Sequence, residues 1–247
     1  MKGGGGAEYI GLTTAVKISF GNVVEKVEPS ITPYVIYYKS FGGLDVYAEV
    51  DYTAALSDSG WYGLYIAQEL GYNFGVIESG TLTVILSNEN TIQLKPELGD
   101  GASQWGNFVP SLKWTQGLGF GDMYLQVGPS IDYLTGVEGE SALGFDSTLG
   151  WDSKFGLGAY FTLHSALDPE DDPWYEGYVY YIKGPFFGTI YAEAWSQFKM
   201  LYITPTVYIT PHTNRNILTF YTSAMITLVE DVEKPSIMPE IGVKYSF

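Results

Sequence analysis

The chain alternates. In "LDVYAEVDYTA", Leu44, Val46, Ala48 and Val50 share one parity, while Asp45, Tyr47, Glu49 and Asp51 share the other. Successive side chains of a strand point to opposite faces, so a period of two predicts a strand with one greasy and one wet face. Likewise "IMPEIGVKYSF" sets Ile237, Pro239, Ile241, Val243, Tyr245 and Phe247 against Met238, Glu240, Gly242, Lys244 and Ser246. Residues 9–20 place Ile10, Leu12, Val16, Ile18 and Phe20 opposite Lys17 and Ser19. No stretch holds a 3.6-residue period, and the predicted class is all-β.

Further strands are predicted over 27–38, 61–74, 81–88, 91–98, 107–117, 121–134, 142–163, 174–183, 186–197, 200–211 and 216–229. Turn signals such as "SFGG", "SDSG", "SNEN", "GFGD" and "KGP" separate them. The count is fourteen, with twelve the alternative. Over 142–163, Leu143, Phe145, Leu149, Trp151, Phe155, Leu157 and Phe161 keep one parity. The segment is read as one long strand, not a hairpin turning at "WDSK", because an even total keeps both chain ends on one side. Prolines recur on the apolar parity in "EPSITPYVIYY", "LKPEL", "GPSIDYL", "ITPTVYI" and "MPEIGVKY", on even strands of this count, with "VPSLKW" an exception on an odd one. Proline cannot donate to a ladder, which predicts strand beginnings or bulges.

Alternation alone fits a soluble sandwich, a ligand-holding barrel or a membrane barrel. Composition separates them. Charged residues are only 16% of the 247, against 46% apolar and 16% aromatic with 21 tyrosines. Ordinary soluble domains carry about 25% charge, and Tyr and Trp favour places where one end of a ring is greasy and the other wet. Fourteen strands are also too many for an interior filled by side chains, since about eight already fill one. The apolar parity therefore faces lipid and the polar parity a lumen. No apolar run is long enough for a membrane-spanning helix. With 28 acidic and 12 basic residues, a net charge of −16 and no basic stripe, a nucleic-acid partner is excluded. Absence of cysteine removes thiol chemistry and Cys-ligated metals. Residues 1–7, "MKGGGGA", read as a flexible segment or an expression-derived start without a signal peptide, ahead of a single barrel domain over 8–247.

Whole-chain alternation closing on "VKYSF", with Tyr245 two places before Phe247, resembles the Gram-negative outer-membrane β-barrel superfamily. The last strand is its one specific motif. The resemblance implies a transmembrane, antiparallel, up-and-down barrel in the outer membrane. It also implies that Tyr245 and Phe247 form an assembly signal read by the barrel-assembly machinery.

Parity then assigns the faces. Asp45, Glu49, Asp51, Glu69 and Lys113 are expected to line the lumen, with Asp132, Asp146, Glu193 and Glu240. Leu44, Val46, Val50, Leu125 and Val127 are expected against lipid, with Leu201, Ile203, Leu218 and Ile241. Acid outnumbers base inside, so an open lumen would favour cations. The function read from this is a passive channel for small hydrophilic, preferentially cationic solutes, without cofactor or resident metal. A braced, non-conducting structural or adhesion barrel is the alternative. The acidic "DPEDDPWYEG", 168–177, reads as a solvated surface loop, and Asp45, Glu49 and Asp51 diverge too much along one strand for a cation cage. A hydrolase would need His164, Ser165 and Asp168, but adjacent residues of a strand point apart.

Overall fold

The computed structural model describes residues 9–25, 27–56, 62–77, 80–95, 104–135, 141–168, 172–211 and 217–246. They form fourteen strands: β1 (Tyr9–Ser19), β2 (Ser30–Phe41), β3 (Leu44–Ala55), β4 (Tyr62–Ile77), β5 (Gly80–Lys95), β6 (Gln104–Leu118), β7 (Gly121–Thr135), β8 (Ser141–Ser153), β9 (Leu157–Ala166), β10 (Trp174–Lys183), β11 (Phe186–Trp195), β12 (Met200–Ile209), β13 (Ile217–Val229) and β14 (Ser236–Ser246). Each pairs antiparallel with its sequence neighbours, and β14 closes on β1 through Val16 opposite Val243 and Ser19 opposite Glu240. Closure leaves no open sheet edge, the condition for a sheet to sit in hydrocarbon.

The total of fourteen is as expected, but two segment readings are corrected. "SNEN" is no turn: Ser87, Asn88, Glu89 and Asn90 continue β5 and pair with β4 and β6. Residues 142–163 are two strands, joined by 154–156, where Gly156 takes φ +83°. The renumbering also moves Pro129 to β7 and Pro110 to β6, so the prolines do not share one strand direction. Between β6 and β7 the ladder is interrupted from Phe108 opposite Ile131 to Leu112 opposite Val127, and that register sets Pro110 against Pro129. Neither proline has an N–H, so the interruption sits within the wall, not at a strand beginning.

Among the described residues no large side chain falls below 2% exposure, so no packed core lies within the ring. The apolar parity instead faces outward and stays exposed: Val35, Val50, Leu70, Leu86, Leu112, Leu125, Leu149, Phe161, Val179, Ile190, Val207, Phe220 and Ile241 are each 40% exposed or more. That belt fits acyl chains. Aromatics gather toward its margins, with Tyr72 against Phe74 (4.9 Å) and Phe120 against Trp151 (6.2 Å) at one end, and Tyr175 against Phe198 (5.2 Å) at the other. Polar outer residues on β4 to β7 are knit together: the Tyr133 hydroxyl reaches Asn88 and Asn90, and Gln104 Nε2 donates to Asn90 (2.8 Å).

The two rims differ. At one end of the barrel, the long rim, four to ten residues of sequence separate the ends of consecutive strands. At the opposite, short rim the separation is two or three residues, except for the seven between β12 and β13. Gly42 and Gly43 both have positive φ, +56° and +85°, as a two-residue hairpin of the I′ kind requires.

Candidate functional site

Residues of distant strands meet only across the interior, and this fixes the inner face. Lys244 of β14 lies over the rings of Tyr34 on β2 (5.6 Å), Tyr208 on β12 (5.0 Å) and Tyr221 on β13 (5.4 Å). Following the strand register from these residues sets one parity of every strand inward. Hydroxyl pairs stitch that face: Thr32 with Thr53 (2.9 Å), Thr148 with Thr162 (2.8 Å) and Thr210 with Thr219 (2.8 Å). Glycines on it make room for tyrosines from the facing strand, as Tyr124 over Gly150, Tyr180 over Gly158 and Tyr221 over Gly242. A Cβ at Gly150 would lie 2.0 Å from Tyr124 Cζ.

The interior divides into sectors of different character. Against β1–β3 and β12–β14, a cavity of about 230 Å³ is lined by Lys17, Glu49, Asp51, Glu240 and Lys244 together with Tyr34, Tyr208 and Tyr221. Here charge is partly compensated, with two lysines among three carboxylates. Lys17 lies 3.9 Å from Glu240, Ser223 donates to Glu240 (3.3 Å), and Tyr47 donates to Glu49.

The opposite sector, toward the long rim of β5–β11, is acidic and aromatic. His164 of β9 stacks on Trp174 of β10 at 3.4 Å and 4°, and Trp174 stacks on Trp195 of β11 at 4.5 Å and 2°. His164 Nδ1 lies 3.1 Å from Asp146 Oδ1, which holds the ring at the edge of the stack. Asn107 donates to Asp132 (2.6 Å), Tyr191 donates to Glu176 (2.9 Å) and Glu193, and Trp195 Nε1 donates to Glu193 (3.0 Å). Two contiguous cavities open here, about 400 Å³ at the rim and about 220 Å³ beneath it, sharing Trp105, Asn107, Asp132, Asp146, His164 and Trp174. No Lys or Arg among the described residues lines either.

Toward the short rim, Tyr38 donates to Asp45 (3.1 Å), Tyr180 donates to Asp152 (2.6 Å), and Lys113 lies 3.9 Å over the Tyr124 ring.

The register places Asp45, Glu49, Asp51, Glu69 and Lys113 on the inner face, and with them Asp132, Asp146, Glu193 and Glu240. They do not form one ring. Asp146 is only 9% exposed and tied to His164. Leu44, Val46, Val50, Leu125 and Val127 stand on the outer face, as do Leu201, Ile203, Leu218 and Ile241. Tyr245 is also outward, opposite Leu218, while Phe247 lies outside the described residues. Ser165 points outward and His164 inward, so the hydrolase trio does not assemble. Among the described residues no three His, Asp or Glu are placed to hold a metal.

Sequence reasoning missed Glu89, Glu176, Trp105, Trp174 and Trp195. Glu89 was hidden by the supposed turn in "SNEN". Glu176 and Trp174 fell both in the predicted strand 174–183 and in the acidic segment 168–177 read as a surface loop, of which only 168–173 lies between strands. The usable signal was parity: Leu82, Val84 and Leu86 match Ile92 and Leu94 across "SNEN", whereas a two-residue hairpin would have inverted it.

No protein-family model matches the sequence, and no curated protein does either. Solved structures do match in fold. The CymD monoaromatic hydrocarbon channel superposes with a TM-score of 0.54 at 10% identity, over 97% of this chain and 88% of its own. The outer membrane channel DcaP of Acinetobacter baumannii gives 0.50 at 11% identity, over 100% and 99%. At such identities the likeness is one of fold, the fold of outer-membrane β-barrel channels.

Proposed function

We propose that the protein is a passive channel of the bacterial outer membrane for small hydrophilic solutes, with a lumen that prefers cations. The observation that carries this reading is the inverted layering. A closed wall exposes an apolar belt outward and encloses polar cavities whose carboxylates outnumber lysines. A water-lined path removes the desolvation barrier to a polar solute, and wall charge selects its sign. The fold shared with channel proteins supports the same reading. Short turns on one rim and longer connections on the other match barrels whose short rim faces the periplasm. Tyr245 and Phe247 would then serve as the strand signal for barrel assembly, and outer-membrane lipid would cover the belt.

A braced, non-conducting barrel has one observation in its favour, the Lys17 and Lys244 network that ties β14 to strands on both sides. Planar-bilayer recording separates the two. The channel reading expects steady conductance with a reversal potential displaced toward the cation in a potassium chloride gradient. A correctly folded protein that leaves the bilayer silent supports bracing instead.

A further inference from the structure

We propose that the long-rim end of the lumen holds a binding site for organic cations that carry a flat ring, such as arylalkylammonium solutes. This rests on the channel reading above and narrows its solute class. The rim cavity of about 400 Å³ has the size of a small-molecule site. Trp105, 40% exposed, forms one side of it, and the His164–Trp174–Trp195 stack forms the other. Between them the floor is made of small residues, Ser130, Ala142 and Gly144. A Cβ at Gly144 would lie 2.6 Å from Ser130 Oγ, so the floor has no space for anything larger. The result is a slot with aromatic flanks and a low floor.

Charge decides what enters it. Asp132 and Asp146 line both cavities, Asp172 joins them at the rim, and Glu89 and Glu176 lie below. Neutral donors hold three of these acids: Asn107 at Asp132 (2.6 Å), Gln197 at Asp172 (2.8 Å) and Tyr191 at Glu176 (2.9 Å). A neutral donor orients a carboxylate without cancelling its charge. The other sector differs, because Lys17 and Lys244 stand among its acids and offset part of their charge. A sugar could also lie on a tryptophan and donate its hydroxyls to carboxylates, but it carries no charge for an acidic cavity to attract, and an anion would be repelled. A cation with a flat body uses both features, since the exposed Trp105 ring attracts cations and a flat body packs on Trp105 and on His164, the ring that ends the stack on this side.

The probe is phenethylammonium, with phenethyl alcohol and phenylacetate as neutral and anionic matches of its shape. Added from the long-rim side of a bilayer, the cation should interrupt potassium current reversibly, at concentrations where its two matches do nothing. In detergent it should titrate tryptophan fluorescence saturably. Asp132→Asn with Glu176→Gln should weaken both effects about tenfold or more, as losing charged contacts worth about 1.4 kcal/mol or above implies. Heat-modifiable migration on a gel confirms that the variant is folded. If the alcohol binds as well as the cation, or the double variant binds unchanged, the site is refuted. Cation-selective conductance without block or titration refutes the site and leaves the channel reading intact. A silent bilayer with a charge-dependent titration supports the site and removes the channel.

Discussion

Leu125 and Gln126 are adjacent on β7, yet the structure puts them in different solvents. Leu125 is 49% exposed on the outer belt, between Trp114 of β6 and Leu149 of β8. Gln126 faces the lumen and donates to Ser111 (2.9 Å). Replacing Leu125 with Arg sets a cation among acyl chains between the middle of the strand and its short-rim end. That should cost about 2 kcal/mol, or roughly thirtyfold in the folding equilibrium. Gln126→Lys loses one hydrogen bond, about 1 kcal/mol, and gains attraction from an acidic lumen. Urea titration of tryptophan fluorescence in phospholipid vesicles measures both against the parent. The expected order is Leu125→Arg far below Gln126→Lys, with the latter near the parent. Equal losses, or the reverse order, would show that the outer and inner faces have been exchanged.

Other consequences can be tested with the same protein. Glu89→Gln with Glu176→Gln should lower the potassium-over-chloride permeability ratio, read from the reversal potential, more than Glu49→Gln with Asp51→Asn. The second pair already has Lys17 and Lys244 nearby, so unchanged selectivity in the first would overturn the division into sectors. Gly150→Ala must displace the Tyr124 ring and should destabilise the barrel by about 1 to 3 kcal/mol, whereas Gly188→Ala, with nothing within 4 Å of the new methyl, should cost under about 1 kcal/mol. Hydrogen exchange should be faster for the backbone amides of Val109, Ser111, Gly128 and Ser130 than for their neighbours, because the β6–β7 ladder is interrupted there. Uniform protection along both strands would contradict this.

Much of the fold was legible because a barrel wall is written in a period of two, and each strand reports its own faces. Strand boundaries were harder. Across 154–156 an odd-length turn leaves parity unchanged, so Leu149 and Leu157 look like one continuous face although a hairpin separates them. Only Gly156 in "KFG" marked the turn, as a left-handed residue closing a three-residue loop. "SNEN" misled in the other direction, because turn-like composition was weighed above unbroken parity. The stack of His164, Trp174 and Trp195 was not legible at all. It joins three strands whose mutual offset depends on the register of β9 with β10 and β10 with β11, and no single strand carries that information.

The unequal rims also set where this chain can tolerate change. At 42–43 or 184–185 the turn fixes which residues oppose each other, and one inserted amino acid would slip the hairpin by a single position, turning a row of carboxylates toward acyl chains. At 230–235 the extra residue can be taken up as slack without reaching the paired wall. Lengthening, tagging or circular rearrangement therefore has room on one side of the ring, while the other behaves as a fixed template.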